Sequence, residues 1–199
     1  MKARIDTVQG RAIPLPGDDI DTDQIIESRY MKAVTFRGIE AHLFRSLRQQ
    51  TNSGFGQWHP FDDPSFAGAR ILLVNRNFGC GSSREHAAQA LLRFGIRAVV
   101  GESFGEIFAG NCVSIGLPCI TVGADEARWL QHQCSTDPQT EVVIDIVSCI
   151  LQAGTREIAF GLPEGRRQRL LDGTWSSLDV LISRQAEVDA KLESFRLSS

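Results

Sequence analysis

The stretch that decides the fold is "ILLVNRNFGCGSSREHAAQALLRFG", which runs from Ile71 to Gly95. Its first four residues, Ile71–Val74, form a short apolar run of the length expected for a buried strand. Glu85–Phe94 place apolar side chains at helical spacing and stop at a glycine, which predicts a helix. The glycines at 79 and 81 allow positive φ angles and close approach of a ligand to the backbone. The pattern therefore predicts a strand, a glycine turn and a helix.

The turn, "NFGCGSSREH" (Asn77–His86), has the residues of a candidate anion site. Ser82 and Glu85 match the S-x-x-E capping box, so Ser82 is predicted to be the N-cap of the helix. The free N–H groups and positive dipole end of a helix N-terminus favour anions, and Arg84 adds a planar fork that suits a carboxylate or phosphate. The residues alone leave two interpretations open: a pocket for a small anion, or an ordinary capped helix with a solvated first turn. Arg84 stands where a dinucleotide-binding motif needs its third glycine.

The rest of the chain alternates strands and helices, which favours parallel βαβ units. Further strands are predicted at Thr7–Leu15, Arg97–Ser103 and Gly116–Val122. Helices are predicted at Gly38–Gln50, Phe104–Asn111, Asp125–Ser135 and Ser183–Phe195, and a short helix is predicted with Pro163 near its start and Gly173 after its end. Loops are predicted at Pro16–Ile26 and Thr51–Gly68, and a β-meander at Glu141–Phe160. The pattern predicts one α/β domain with a mixed parallel and antiparallel sheet and flanking helices.

Composition narrows the class of protein. The chain has 199 residues, 42% of them apolar and 23% charged, with a net charge of −3. This profile is that of a soluble globular domain, and it argues against nucleic acid or an anionic membrane as the main partner. The N-terminal residues show no apolar signal segment, and no apolar run reaches the ~18 residues of a membrane span. A cytoplasmic location is therefore expected.

Neither the cysteines nor the aspartates predict a metal site in this chain. The five cysteines are odd in number and lack C-x-x-C spacing, and four of them are expected to be small buried residues, with Cys80 as the exception. Asp19, Asp21 and Asp23 fit the first positions of a calcium loop. However, Gln24 and Tyr30 stand where that loop needs glycine and glutamate. Two interpretations of the aspartates remain: a cluster of Asx turns, or carboxylates that position a catalytic group.

The glycine turn resembles the signature loop of the swivelling domain of the aconitase superfamily. Further segments are similar, in order and spacing, to the family of bacterial 3-isopropylmalate dehydratase small subunits: "DTDQII" (Asp21–Ile26), "HLF" (His42–Phe44), "SFGEIFAGN" (Ser103–Asn111) and "GLP" (Gly116–Pro118). The resemblance covers about residues 7–122 and is weaker from about residue 123. It implies a single swivelling β/β/α domain over residues 1–199.

The resemblance also implies a function and its residues. It implies a hydro-lyase of leucine biosynthesis that isomerises 2-isopropylmalate to 3-isopropylmalate through an enoic acid, active only with a large subunit that carries a [4Fe–4S] cluster. Ser82 would be the catalytic base, Ser83 and Arg84 would bind substrate, and Asp23 would match an active-site aspartate. No cofactor is expected in this chain, and Cys80 is not expected to be a cluster ligand. Alternatives are a related hydro-lyase for dimethylmalate, benzylmalate, methylcitrate or homoaconitate, or a non-catalytic anion-binding module.

One segment departs from the family pattern. The family more often has Thr-Arg-Thr-Gly-Phe where this chain reads "VTFRGIEAHLF" (Val34–Phe44), with differences at Phe36, Arg37 and Ile39. This region is expected to help select the substrate's γ-substituent. Arg37 would suit an additional carboxylate if it faced the pocket, and would otherwise be solvated. His86 is expected either to face the pocket or to pack beneath the helix.

Overall fold

A seven-stranded sheet forms the centre of the chain in a computed structural model that describes residues 4–32, 36–52, 58–82 and 84–175. The strands are β1 (Thr7–Pro14), β2 (Ile71–Leu73), β3 (Ala98–Gly101), β4 (Cys119–Thr121), β5 (Glu141–Asp145), β6 (Ile150–Ala153) and β7 (Arg156–Ala159). The α-helices are α1 (Thr22–Ile25), α2 (Arg45–Asn52), α3 (Glu85–Phe94), α4 (Glu106–Ser114), α5 (Ala124–Thr136) and α6 (Glu164–Asp172). None of the helices in these described ranges has the length and apolarity needed to cross a membrane.

The sheet changes character at β1. Its strand order is β4-β3-β2-β1-β5-β6-β7. The first four strands in this order are parallel, with Ile71 opposite both Ala12 and Ala98. On the other side of β1 the ladder is antiparallel, with Val8 opposite Ile144, and it continues through the predicted meander. The predicted mixed α/β sheet is confirmed.

Two apolar cores cover the two faces of the parallel strands. Successive strand residues point to opposite faces, so Leu72 and Val74 pack on one side and Ile71 and Leu73 on the other. The first core includes α3 and α4. The second contains α5 together with apolar residues of the meander strands. The sheet is thus enclosed by helices and by its own curled antiparallel part.

Two predicted elements are wrong in detail. The predicted loop Pro16–Ile26 contains α1. The predicted helix Gly38–Gln50 is instead a 3₁₀ helix at Ile39–His42 followed by α2. The break falls at Phe44, which is fully buried with a φ of +50° and donates its N–H to the carbonyl of Ile25 at 2.9 Å. Contact with α1 fixes Phe44 in a conformation that a continuous helix does not allow.

The remaining expectations are met in part. Cys112, Cys119 and Cys134 are buried as expected, whereas Cys149 is only half-buried. The predicted loop Thr51–Gly68 begins with the last residues of α2 and contains a 3₁₀ helix at Pro64–Phe66, and its residues 53–57 lie outside the described ranges. The predicted helix 183–195 also lies outside them.

Candidate active site at the glycine turn

The glycine turn lies at the carboxyl edge of the parallel strands. Beyond the end of β2, Cys80 forms a parallel bridge with Asp21 and Phe78 forms one with Phe104. These bridges extend β1, β2 and β3 side by side past the sheet. Ligands of α/β proteins bind at this edge, outside the carboxyl ends of the strands.

Backbone hydrogen bonds fasten the turn from both sides. The N–H of Gly79 donates to the carbonyl of Ile20 at 2.7 Å. On the opposite side the N–H of Phe78 donates to the carbonyl of Ser103 at 3.1 Å, and the N–H of Gly105 donates to that of Phe78 at 2.9 Å. The turn therefore has a fixed position between the segments that follow β1 and β3.

Gly79 is required by packing within the protein. Its φ is +74°, and a Cβ there would lie 2.5 Å from Cδ1 of Phe108 and 2.8 Å from its Cβ. Phe108 is 1% exposed, so its ring cannot move aside into solvent. The sequence predicted that both glycines admit a ligand. At Gly79 a buried aromatic ring occupies that place, whereas Gly81 is exposed with a φ of +88°.

Ser82 is exposed and is not the N-cap, so the capping box predicted there is wrong. α3 begins at Glu85 after Arg84, which has extended angles (φ −135°, ψ 108°) and makes no side-chain capping hydrogen bond. The carbonyl of Ser82 accepts a hydrogen bond from Oγ1 of Thr22 at 2.9 Å, and Thr22 N–H donates to the carbonyl of Cys80 at 3.0 Å. Ser82 therefore belongs to a turn held against α1, which keeps it out of the capping position.

The capping box lies on α1 instead. Oδ1 of Asp21 accepts from the N–H of Gln24 at 2.8 Å, and Oε1 of Gln24 accepts from the N–H of Asp21 at 2.9 Å. The sequence contained this signal, because Asp21-x-x-Gln24 precedes the apolar pair Ile25-Ile26. The box fixes the start of a helix that sequence reasoning had missed.

Three of the four predicted site residues, Asp23, Ser82 and Arg84, lie where α1 meets the turn. Nη1 of Arg84 donates to Oδ1 of Asp23, across 61 positions of sequence. The Arg84 side chain is 17% exposed and that of Asp23 is 54% exposed, so the pair reaches from the protein interior to its surface. Ser82 lies two residues before Arg84 on the same turn. Ser83, the fourth predicted site residue, lies outside the described ranges.

The aspartates of the predicted loop have separate partners. Oδ1 of Asp19 accepts from Nδ2 of Asn77 at 2.8 Å, and its Oδ2 lies 3.5 Å from Arg76. Asp21 caps α1 and Asp23 pairs with Arg84, so their carboxylates do not converge on a common point. Over the described ranges, no group of three or more His, Cys, Asp or Glu residues could hold a metal ion.

Cys80 has the environment of a protonated thiol. Burial, and then the carboxylates of Asp21 and Asp19, raise its pKa. Its Sγ donates to the carbonyl of Asp19 at 3.5 Å. A metal ligand must be a thiolate, which these neighbours disfavour.

Phe36, one of the residues at which a departure from the family pattern was predicted, packs against α3. The Phe36 ring meets the imidazole of His86 edge to face, with 5.0 Å between ring centroids, and the guanidinium of Arg93 lies 6.0 Å from the Phe36 centroid. His86 is half-buried in this contact. Arg37, the next residue, is exposed. Phe36 therefore has a packing role against α3.

A curled, mixed parallel and antiparallel α/β sheet, with the Arg84–Asp23 pair at its carboxyl edge, is the architecture of a swivelling domain of the aconitase type. Residues 2–124 match the family model described as the aconitase C-terminal domain. The chain therefore belongs to the aconitase C-terminal domain family.

Within this family, the chain is similar to 3-isopropylmalate dehydratase small subunits. The 3-isopropylmalate dehydratase small subunit of Synechocystis sp. is 44% identical over 191 residues, which cover 96% of this chain and 94% of that protein. The protein of the same name from Thermus thermophilus is 41% identical over 182 residues, with 92% and 90% covered. The solved structure of 3-isopropylmalate dehydratase from Methanocaldococcus jannaschii superposes with a TM-score of 0.70 at 26% identity, covering 93% of this chain and 99% of that one.

Proposed function

We propose that this chain is the small subunit of a 3-isopropylmalate dehydratase, a hydro-lyase of leucine biosynthesis. The enzyme would isomerise 2-isopropylmalate to 3-isopropylmalate by dehydration and rehydration. The observation that carries the proposal is the convergence of Ser82, Arg84 and Asp23 at the carboxyl edge of the sheet. The relatives that carry this subunit's name align with the chain over at least 90% of their own length.

The reaction needs a base and an acceptor for the leaving hydroxyl. The base removes a proton from the carbon beside a carboxylate and returns one in the hydration step. We assign this role to Ser82, whose alkoxide would take the proton from that carbon. A serine hydroxyl is a weak acid in water. A guanidinium close to the hydroxyl, which Arg84 of the same turn would supply, favours the deprotonated form.

Arg84 is assigned to the substrate carboxylate, with Asp23 as the group that orients the guanidinium. In the described part of the chain, Arg84 hydrogen-bonds to Asp23 through a single nitrogen, Nη1. Its other N–H donors can therefore bind a carboxylate in the bidentate geometry that suits a guanidinium. Ser83 is proposed as a further substrate-binding group.

A large subunit is the proposed partner, and the [4Fe–4S] cluster is assigned to it. Cys112 and Cys119 lie in the apolar core, and burial raises the pKa of the Cys112 thiol well above its usual value, which disfavours the thiolate that a cluster ligand must be. When bound to the partner, the cluster would supply a Lewis-acidic iron for the leaving hydroxyl. A hetero-oligomer acting in the cytoplasm on a small hydroxy acid is the resulting proposal.

An anaerobic assay tests this function. The purified chain, alone and mixed with a cluster-loaded large subunit, is given 2-isopropylmalate, citrate or methylcitrate, and the absorbance of the enoic acid is followed. Turnover of 2-isopropylmalate in the mixture only is expected. If the mixture turned over citrate or methylcitrate but not 2-isopropylmalate, the substrate assignment would be refuted. If a formed complex turned over none of the three acids, the enzymatic function would be refuted.

A further inference from the structure

We propose that Thr22 is a positioning residue that holds the turn bearing Ser82, an inference whose catalytic part depends on the proposed function. Thr22 is 1% exposed, yet two of its polar groups serve the turn. Its N–H donates to the carbonyl of Cys80 at 3.0 Å, and its Oγ1 donates to that of Ser82 at 2.9 Å. A single buried residue thus binds the turn on both sides of Gly81.

The element that presents Thr22 is itself fixed. Asp21 and Gln24 close the capping box directly around it. Ile25 and Ile26 are fully buried, and the carbonyl of Ile25 accepts the N–H of Phe44. The Thr22 hydroxyl is therefore held in place by the core, as a preorganised site requires.

The turn needs such a tether near its reactive residue. Gly81 precedes Ser82, is exposed, and has the least restricted backbone of any residue type. The Ser82 carbonyl carbon is bonded directly to the Cα from which the Ser82 side chain projects, so the bond from Thr22 restrains the backbone that carries this side chain. Asp23, the next residue of α1, binds Arg84. One turn of helix therefore sets the positions of both the base and the carboxylate clamp.

Thr22 differs from a threonine whose hydroxyl hydrogen-bonds only to the backbone of its own helix. Helical threonines commonly bond to the carbonyl four residues earlier, as Oγ1 of Thr51 does to Leu47 at 2.9 Å. Thr22 instead reaches a residue 60 positions away. Its hydroxyl is used for a tertiary contact with the site.

Three variants of the assembled enzyme test the proposal. Thr22→Val keeps the side-chain volume and removes the hydroxyl, whereas Thr22→Ser keeps the hydroxyl and removes a buried methyl group. Thr140→Val is the control, because Thr140 is also buried but donates to Asp137, at 3.3 Å. Misplacement of a catalytic group by about 1 Å costs roughly a hundredfold in rate. We expect Thr22→Val to lower kcat tenfold to about a hundredfold with little change in KM, and the other two to stay near wild type.

A readout independent of activity separates this inference from the proposed function. Amide hydrogen exchange across residues 77–82 of the isolated chain should be faster in Thr22→Val than in wild type, and unchanged in Thr22→Ser and Thr140→Val. If Thr22→Val matches wild type in both kcat and exchange, the proposal is overturned. It is also overturned if Thr22→Ser is as damaging as Thr22→Val, since packing would then be the cause. An inactive wild-type mixture would refute the proposed function, and the exchange rates would still decide whether Thr22 holds the turn.

Discussion

Replacing Gly79 with alanine tests the packing that fixes the glycine turn. The backbone at Gly79 has a φ of +74°, and the added methyl group would lie 2.5 Å from Cδ1 of Phe108. Phe108 is buried and meets Phe78 edge to face, with 5.4 Å between ring centroids. Either the turn or the Phe108 ring must move to accept the methyl group.

The magnitude follows from two separate costs. An alanine at left-handed angles costs about 1–2 kcal/mol. Forcing extra volume into a packed core costs about 1–3 kcal/mol more, so Gly79→Ala should lose about 2–5 kcal/mol of unfolding free energy. Gly154→Ala is the matched control, because Gly154 has a φ of +59° with no atom within 4 Å of an added Cβ. It should incur the backbone cost alone.

Urea denaturation of the isolated chain measures both variants. The free energies of unfolding are obtained by linear extrapolation and compared with wild type. A loss of several kcal/mol would be a large part of the ~5–15 kcal/mol that stabilises a typical domain. If Gly79→Ala loses no more than Gly154→Ala, Phe108 does not constrain the turn and the reasoning is wrong.

Two other substitutions address charge. Arg84→Lys keeps the positive charge and loses the planar fork, so kcat/KM should fall by about tenfold to a hundredfold, and steady-state kinetics equal to wild type would contradict the clamp. Burial lowers the pKa of His59 from 6.5 to about 4, with Asp62 opposing the shift and Arg48 adding to it. Unfolded chains therefore take up the proton at higher pH than folded ones, and stability should fall by up to about 3 kcal/mol as pH drops from 6.5 to 4. In the wild type, the N–H of Phe61 donates to Nδ1 of His59 at 3.2 Å. His59→Asn keeps an acceptor for this N–H and should remove this part of the pH dependence. Urea midpoints at neutral and acidic pH provide the measurement, and an unchanged slope in the variant would exclude His59 as the cause.

Local patterns in the sequence predicted the central unit well. Apolar runs and helical spacing depend on neighbouring residues, so β2, the glycine turn and α3 were predicted close to where they lie. The capping box shows where this reasoning fails. Ser82-x-x-Glu85 and Asp21-x-x-Gln24 both fit the pattern, and only the second forms. Ser82 lies in a turn whose carbonyl accepts a hydrogen bond from Thr22, a contact between distant parts of the chain that no local pattern contains.

The candidate site also has a part that was evident from the local sequence and a part that depends on tertiary contacts. Ser82 and Arg84 lie on one turn, so their proximity was evident from the sequence. The pairing of Arg84 with Asp23 depends on the parallel bridge between Asp21 and Cys80, which no local pattern contains. Thr22 carried no signal of its own, because a buried threonine is recognisable only once its hydrogen-bond acceptor is known.

The turnover of Ser82→Ala in the assembled enzyme tests the central claim most directly. Ser114→Ala is the control, since Ser114 lies on α4 and donates to the carbonyl of Asn111 at 2.7 Å. Both variants would be mixed with the cluster-loaded large subunit, with complex formation measured beside the rate. Loss of a general base should lower kcat by about a hundredfold to ten-thousandfold in Ser82→Ala, with the complex intact and Ser114→Ala near wild type. A complex of Ser82→Ala that turns over 2-isopropylmalate at the wild-type rate would contradict the account.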